Sequence, residues 1–524
     1  MGSLLSEKLG PSFSLPSFAL PSQAKELIGE LGTAQDNESL TRILGVAQRS
    51  GATRAIVEHE YVDADYRDEF INFYAGTFRD VRDKCSRVHL YADDDGVSKG
   101  QEESYLGYVI VRPLAGQPVG RTLFSPPREV VRFVSCVIDD MVRPFGRERL
   151  ASGFPFMEQD TQLGVCAHAA AWSVSYYHHR AHGTPRTTLS QIANAAHDRV
   201  SFWRSLPSDG LSKEQIHASL EAIDLKPIVY DVADLNRLEP KQSPQQVVCR
   251  YLNSGFPVIL AYGEHMVVLI GYGKDYRGKI FFVRSNDLGS PYEVVRGPGI
   301  FRKWEHLIVP VPGRIYMSAD VAEYQARMQF ARMLGLPENA TIRTRLAGDY
   351  SLSAKAPDHL MDPAVLRLRT YATRGSHYKC DLDLRGVPPE IVQLHSYTSA
   401  SNWVWVVELQ DPAVALNSSS CVLGEIVIDA TSHKNDPHFL FGHLPGSHYR
   451  WDQHRSPKRT RFVESESGDI PSIPFYMPYS TGSAIHDAPS GYRLRANSAN
   501  EMRANSAVPW SSLTDQTTFR LEEV

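Results

Sequence analysis

Between residues 151 and 312 the hydrophobic pattern changes its period, and that change limits the folds open to the chain. The stretch begins with CAHAAAWSVSYYHH, an alanine-rich run of strong helix formers. Helical patterns follow at TLSQIANAA, SKEQIHASLEAI and SPQQVVCRYLNSG. The last carries its own punctuation: Ser243 caps it, Pro244 takes the first turn, Gln246 completes a capping box and Gly255 stops it. The pattern then becomes that of strands, in FPVILAY, HMVVLIGYG and KIFFVRSND. Helices first and strands afterwards predict a helical layer packed on an antiparallel sheet, an α+β arrangement.

The flanks differ from this block. A Ser- and Pro-rich lead-in of about twenty residues precedes two short helices, the second opening at DNESL with Asp36 or Asn37 as cap. RAIVEHEYV, SRVHLY, SYLGYVIVRPL and REVVRFVSCVI predict strands, with a helix at DYRDEFINFYAGTF, so residues 1–150 form an α+β N-terminal domain. After residue 312, a helix at SADVAEYQARMQFARMLG leads into a β-rich domain over 313–480, with WVWVVELQD and GEIVIDATS as its clearest strands. Residues 481–524, with the imperfect repeat RANSANEM and RANSAVPW, predict a disordered tail docked at its end through Trp510 and Phe519. The whole is a multidomain chain of 524 residues.

Charge and cysteine usage narrow the function. Sixty acidic residues against 55 basic ones give a formal net charge of −5 spread along the sequence, which provides no positive field for nucleic acid and no polybasic membrane patch. The six cysteines are sparse and show no CxxC or Cys/His spacing, so neither a disulfide framework nor a metal site is expected, and a reducing, cytoplasmic setting fits. No secretory signal and no apolar run near the roughly 18 residues of a bilayer span is present. MGSLLS fits the myristoylation pattern at Gly2 and Ser6, a short pattern that arises often by chance, and an ordinary start is the expectation. No phosphate-binding or dinucleotide motif occurs, so no cofactor is expected.

One constellation carries chemistry. A cysteine nucleophile needs its proton removed, a base to take it, and donors for the oxyanion that forms. Cys166, just after Gly164, opens the alanine-rich helix, whose positive end predicts a lowered thiol pKa. His265 stands at the start of HMVVLIGYG, and Asn286–Asp287 closes the next strand, so antiparallel pairing brings those positions side by side. Other candidates read as structural. His178 and His182 share a helix face, but no acidic residue lies between them, and a solvated helix end is the expectation. His168, Trp172, Tyr176 and Tyr177 read as core, and Trp403 and Trp405 as one buried face of a strand.

The order of Gln159, Cys166 at a helix start, His265 followed by VVLIGYG, and Asn-Asp at the end of the next strand resembles the papain-like cysteine peptidase superfamily. Within it the double-glycine, bacteriocin-processing type and its soluble relatives are the most similar, over about residues 151–312 alone. The resemblance implies a central papain-like domain and a peptidase acting on a peptide or protein. In it Cys166 is the nucleophile, His265 the general base and later acid, Asp287 the group that orients His265, and Gln159 a donor to the oxyanion. Ala167 replaces the usual Gly after the cysteine, and Gln159 lies seven positions before it, one more than usual, with Gln162 four before. Asn286 is the alternative orienting group, as an amide is in papain. A scaffold without catalysis, or an acyl transferase in which an amine replaces water, are the alternatives to a hydrolase.

Overall fold

The computed structural model describes residues 16–34, 36–78, 80–92, 104–114, 116–160, 166–199, 211–237, 242–263, 265–275, 277–347, 366–411, 421–432, 439–445, 447–452, 455–461, 492–496 and 518–523. Gly2, Ser6, Gln162, Gly164 and Trp510 lie outside them. The chain is α+β, with its sheets antiparallel. It divides into two compact units. Met1–Val232, Pro257–Pro312 and Ser483–Val524 form the first, and Ala233–Phe256 with Gly313–Gly482 form the second. The first unit therefore runs through residue 151 without a break, and it gives up one segment of the 151–312 block.

That segment, Ala233–Phe256, carries the helix Pro244–Asn253. Its capping box forms as the sequence dictates, with Ser243 accepting from the Gln246 amide and Gln246 reaching back to Ser243. Its apolar face buries Val247, Val248, Tyr251 and Leu252. Its polar end ties it to the second unit. Arg250 makes two hydrogen bonds, at 2.6 and 2.7 Å, to Glu323 of the helix Ala319–Gly335, and Ser254 Oγ accepts from Ala372 N. A buried Arg–carboxylate pair is geometrically demanding, which fixes where this segment packs.

Two larger sheets build the first unit. The first is an antiparallel meander of Ser17–Ala19, Arg54–Tyr61, Cys85–Ala92, Ser104–Val111 and Val119–Phe124. The second has the order Tyr492–Ala496, Thr518–Glu523, Glu293–Arg296, Ile280–Ser285, His265–Lys274, Val258–Tyr262, His306–Pro312 and Leu225–Asp231. The helices Cys166–His182, Leu189–Arg199 and Lys213–Glu221 belong to this unit. Part of the stretch expected to be disordered thus supplies two strands, with Val294 opposite Phe519. The two sheets are locked together. Tyr292 Oη donates to Phe124 O at 2.7 Å and accepts from Phe154 N at 2.9 Å. Gly271 bridges Val134, and a Cβ there would sit 1.9 Å from Phe133 O, so only glycine allows this approach.

REVVRFVSCVI differs from expectation. Pro127 O accepts from the amides of Val130 and Val131, turning the chain into a single 3₁₀ turn at Val131–Phe133, and the strand begins only at Ile138. His178 differs too. It is fully buried within the Cys166–His182 helix and is no part of a solvated helix end, with its ring 5.1 Å from that of His182.

In the second unit, Arg367–Arg374, Trp403–Gln410, Val422–Asp429, Phe439–Leu444, Ser447–Asp452 and Arg455–Arg461 form an antiparallel sheet in sequence order. Tyr371, Val404, Val406, Val427 and Phe441 pack with Tyr378, Leu382 and Ile391 of two covering helices, Gly375–Leu384 and Pro389–Tyr397. Trp403 and Trp405 are buried, and Trp405 Nε1 donates to Met317 O.

Candidate active site

Strand register brings the expected residues to one end of the eight-stranded sheet. His265 begins its strand opposite Tyr262. Val268 pairs with Ser285, the last residue of the neighbouring strand, so Asn286 and Asp287 leave that strand at the His265 end. Cys166 opens the long helix, and the backbone N–H of Met266 hydrogen-bonds its sulfur. Helix start and strand start therefore meet at the thiol.

The imidazole is oriented by Asn286. Asn286 Oδ1 lies 2.9 Å from His265 Nε2, and the Asp287 carboxylate makes no such contact, so the expected assignment of Asp287 as the orienting group is corrected. The physical reason lies in the next strand. Asn286 Nδ2 donates to Glu293 Oε2 at 3.1 Å, and Glu293 is held by Arg284 Nε at 2.8 Å and the Ser290 amide at 3.1 Å. A carboxylate only accepts, so the amide nitrogen must face Glu293 and the amide oxygen must face His265. Leu288 N also donates to that oxygen, at 3.3 Å. His265 Nε2 is then the protonated nitrogen, which leaves the Nδ1 lone pair to receive a proton. Tyr262 packs edge-on against the ring, with centroids 5.5 Å apart, and its hydroxyl accepts from Arg284.

Asp287 has a different place. It is 7% exposed, and its Oδ2 has no hydrogen-bond partner among the described residues. Burial pushes its carboxyl up to about 8, Glu158 and Glu293 add to the shift, and the backbone N–H groups of Asp287 and Leu288 oppose it. Its charge is the chief electrostatic influence on Cys166. Burial first, and Asp287 second, push that thiol up to about 11, against the backbone N–H groups of Met266, Ala167 and Cys166. The lowered thiol pKa expected from the helix start is therefore outweighed by desolvation. Although the His265 ring keeps part of its surface exposed, the packing around it pushes its pKa down to about 4. At neutral pH Cys166 is then a thiol and His265 a neutral imidazole.

Gln159 is half-buried in the segment before the helix, and no hydrogen bond links it to Cys166 or His265 among the described residues. Its neighbour Glu158 is buried, accepting from Ser39 Oγ and from Arg42 at 2.9 Å, while Arg42 Nε also donates to Gly289 O at 2.6 Å. Glu158, Glu293 and Arg284 were not singled out in the sequence. The one signal for Glu293 was an acidic residue inside the strand-like run YEVV, close after Asn286. Among the described residues no group of three His, Cys, Asp or Glu side chains is arranged to hold a metal ion, and no helix is long and apolar enough to cross a membrane. Neither a protein-family model nor a curated protein matches the chain.

Proposed function

We propose that the chain is a thiol-dependent acyl hydrolase, a cysteine peptidase whose central block has a papain-like arrangement and whose substrate is a peptide or protein. The observation that supports this reading is the meeting of Cys166 with the His265 strand, together with the Asn286 hydrogen bond that fixes the imidazole tautomer. His265 Nδ1 takes the thiol proton as sulfur attacks the acyl carbon, and the carbonyl π pair moves to oxygen. When the C–N bond breaks, that pair re-forms the carbonyl and His265 returns the proton to the leaving amine. Water, deprotonated by His265, then releases the acid and restores the thiol. Because both partners rest neutral, proton transfer accompanies attack, and no thiolate–imidazolium pair stands ready beforehand.

The same neutrality favours a second reading, a scaffold that keeps the site without its chemistry, because a thiol near pKa 11 is a poor nucleophile at pH 7. One experiment separates the two. The protein is treated with p-nitrophenyl acetate at pH 7.5 and analysed by intact and peptide mass spectrometry. The hydrolase reading expects acetylation at Cys166 with turnover, lost in Cys166→Ala and reduced on the order of 10²-fold in His265→Ala. Acetylation of Cys166 no faster than that of the exposed Cys380 supports the scaffold instead. Added amine then separates hydrolysis from transfer by its products.

A further inference from the structure

We propose that Arg42 is a positioning residue for His265: anchored on Glu158, its guanidinium holds the turn that carries Asn286. This deepens the hydrolase reading and rests on it. The contacts form an unbroken series. Arg42 Nη2 donates to Glu158 Oε1 at 2.9 Å, and Arg42 Nε donates to Gly289 O at 2.6 Å. Gly289 N donates to Asn286 O at 2.8 Å, and Asn286 N to Ser290 O at 3.1 Å. The carbonyl gripped by Arg42 thus belongs to the same tight turn as the amide that meets the imidazole. Asn286 Oδ1 ends the series, 2.9 Å from His265 Nε2.

Each end of this series is fixed. The helix Glu38–Arg49 buries Leu40, Ile43, Leu44 and Ala47, so Arg42 is delivered by a packed element. Ser39, one turn earlier, donates to the same Glu158 oxygen at 2.5 Å. The main chain of Glu158 is tied down as well: its N–H donates to Val119 O at 3.1 Å, and its carbonyl accepts from Arg112 Nη2 at 3.0 Å. The Arg42 side chain is 11% exposed and that of Glu158 2%, so water competes little with a charge-assisted fork. At the turn, Glu293 receives Ser290 N and Asn286 Nδ2, both at 3.1 Å, and Arg42 adds a second hold through Gly289 O. Glu158 lies in the segment that leads toward Cys166, so one guanidinium registers the turn behind the base against the approach to the nucleophile. Its two acceptors are 116 and 247 residues away along the chain. The site therefore draws on the N-terminal part of the molecule, outside residues 151–312.

The test is a double-mutant cycle on the full-length protein. Arg42→Lys keeps a positive charge beside Glu158 but replaces the planar fork with a point charge, which cannot reproduce both bonds. The rate of Cys166 acetylation by p-nitrophenyl acetate at pH 7.5, read by mass spectrometry, is expected to fall on the order of tenfold. In the Asn286→Ala background the same substitution is expected to change the rate by less than about twofold, because the residue through which Arg42 acts is gone. A general loosening of the fold would lower the rate in both backgrounds. An equal loss in both therefore overturns the proposal, and so does an unchanged rate in Arg42→Lys alone. Indiscriminate labelling of all six cysteines would show that Arg42→Lys has not folded. Arg42→Met combined with Glu158→Gln, which leaves no buried charge without its partner, then takes its place in the cycle and is held to the same outcomes. Wild-type acetylation of Cys166 no faster than that of Cys380 is a different result: it overturns the hydrolase reading itself, and the positioning role with it.

Discussion

Two buried clusters of carboxylates can be set side by side. In the second unit, Glu408 receives Arg369 at 3.0 Å and Arg385 at 3.1 Å, while Glu425 receives Arg385 and, at 2.8 Å, the Tyr378 hydroxyl. Tyr378 in turn bonds His395 Nδ1 at 3.1 Å. Each carboxylate is met by a cation or a hydroxyl. In the first unit, Asp287 is buried near two other acids, and among the described residues no salt bridge joins it to a cation. The first pattern holds a fold together, because removing one partner strands a charge in low dielectric. In the second, one carboxyl oxygen, Asp287 Oδ2, has no hydrogen-bond partner among the described residues.

The comparison can be broken from either side. The largest expected effect is in the paired cluster. Arg385→Met leaves Glu408 and Glu425 short of their shared guanidinium and should destabilise the second unit by about 3–5 kcal/mol, seen as a lower unfolding midpoint in denaturant. An unchanged midpoint would make that cluster dispensable. Next, Asn286→Ala frees the His265 ring and should lower Cys166 acetylation on the order of 10²-fold, while Asp287→Asn lowers it far less. The reverse order would return the orienting role to Asp287. Smaller is the effect on stability with pH. Asp287 is protonated in the folded chain up to about pH 8 and ionised in the unfolded chain above about pH 4. Folding therefore takes up a proton across that window. The contribution is full below the unfolded value and is lost as pH rises through about 8. The thermal midpoint of the wild type should fall from pH 5 to pH 9 more than that of Asp287→Asn, and equal slopes would show that the carboxyl is not held protonated. The smallest change is Ser243→Ala, which removes one cap from the Pro244–Asn253 helix and costs about 1 kcal/mol by the same denaturant measurement.

Local chemistry was readable from the sequence, and assembly was not. Ser243, Pro244 and Gln246 announce their helix because capping involves residues three apart, and Asn37 likewise accepts from Leu40 N. Yet nothing in SPQQVVCRYLNSG says that Arg250 meets Glu323, far along the chain, and so leaves the block it was read with. The site divides the same way. Cys166 and His265 stand at element starts, positions that periodicity marks. The choice between Asn286 and Asp287 depends on the turn after Ser285, where Asn286 N donates to Ser290 O and Gly289 N to Asn286 O, and on Glu293 waiting in the next strand. Gly289 itself is required, since a Cβ there would fall 1.8 Å from Glu293 Oε1. REVVRFV was misleading because its β-branched residues suit a strand, while the preceding Pro127 carbonyl draws two amides into a turn.

The pairing of Glu293–Arg296 with Thr518–Glu523 has a consequence for the order in which the molecule is made. On the ribosome the strand bearing His265 and the turn bearing Asn286 emerge long before the strand that covers their flank. Until that late segment arrives, the backbone of Glu293–Arg296 is an open edge, and the Glu293 carboxylate that holds Asn286 sits on it. Contacts between such distant parts of a chain close slowly. A nascent chain would thus carry its thiol and imidazole well before their geometry is secured, so any hydrolytic activity would arise only after synthesis has passed the far end of the sheet.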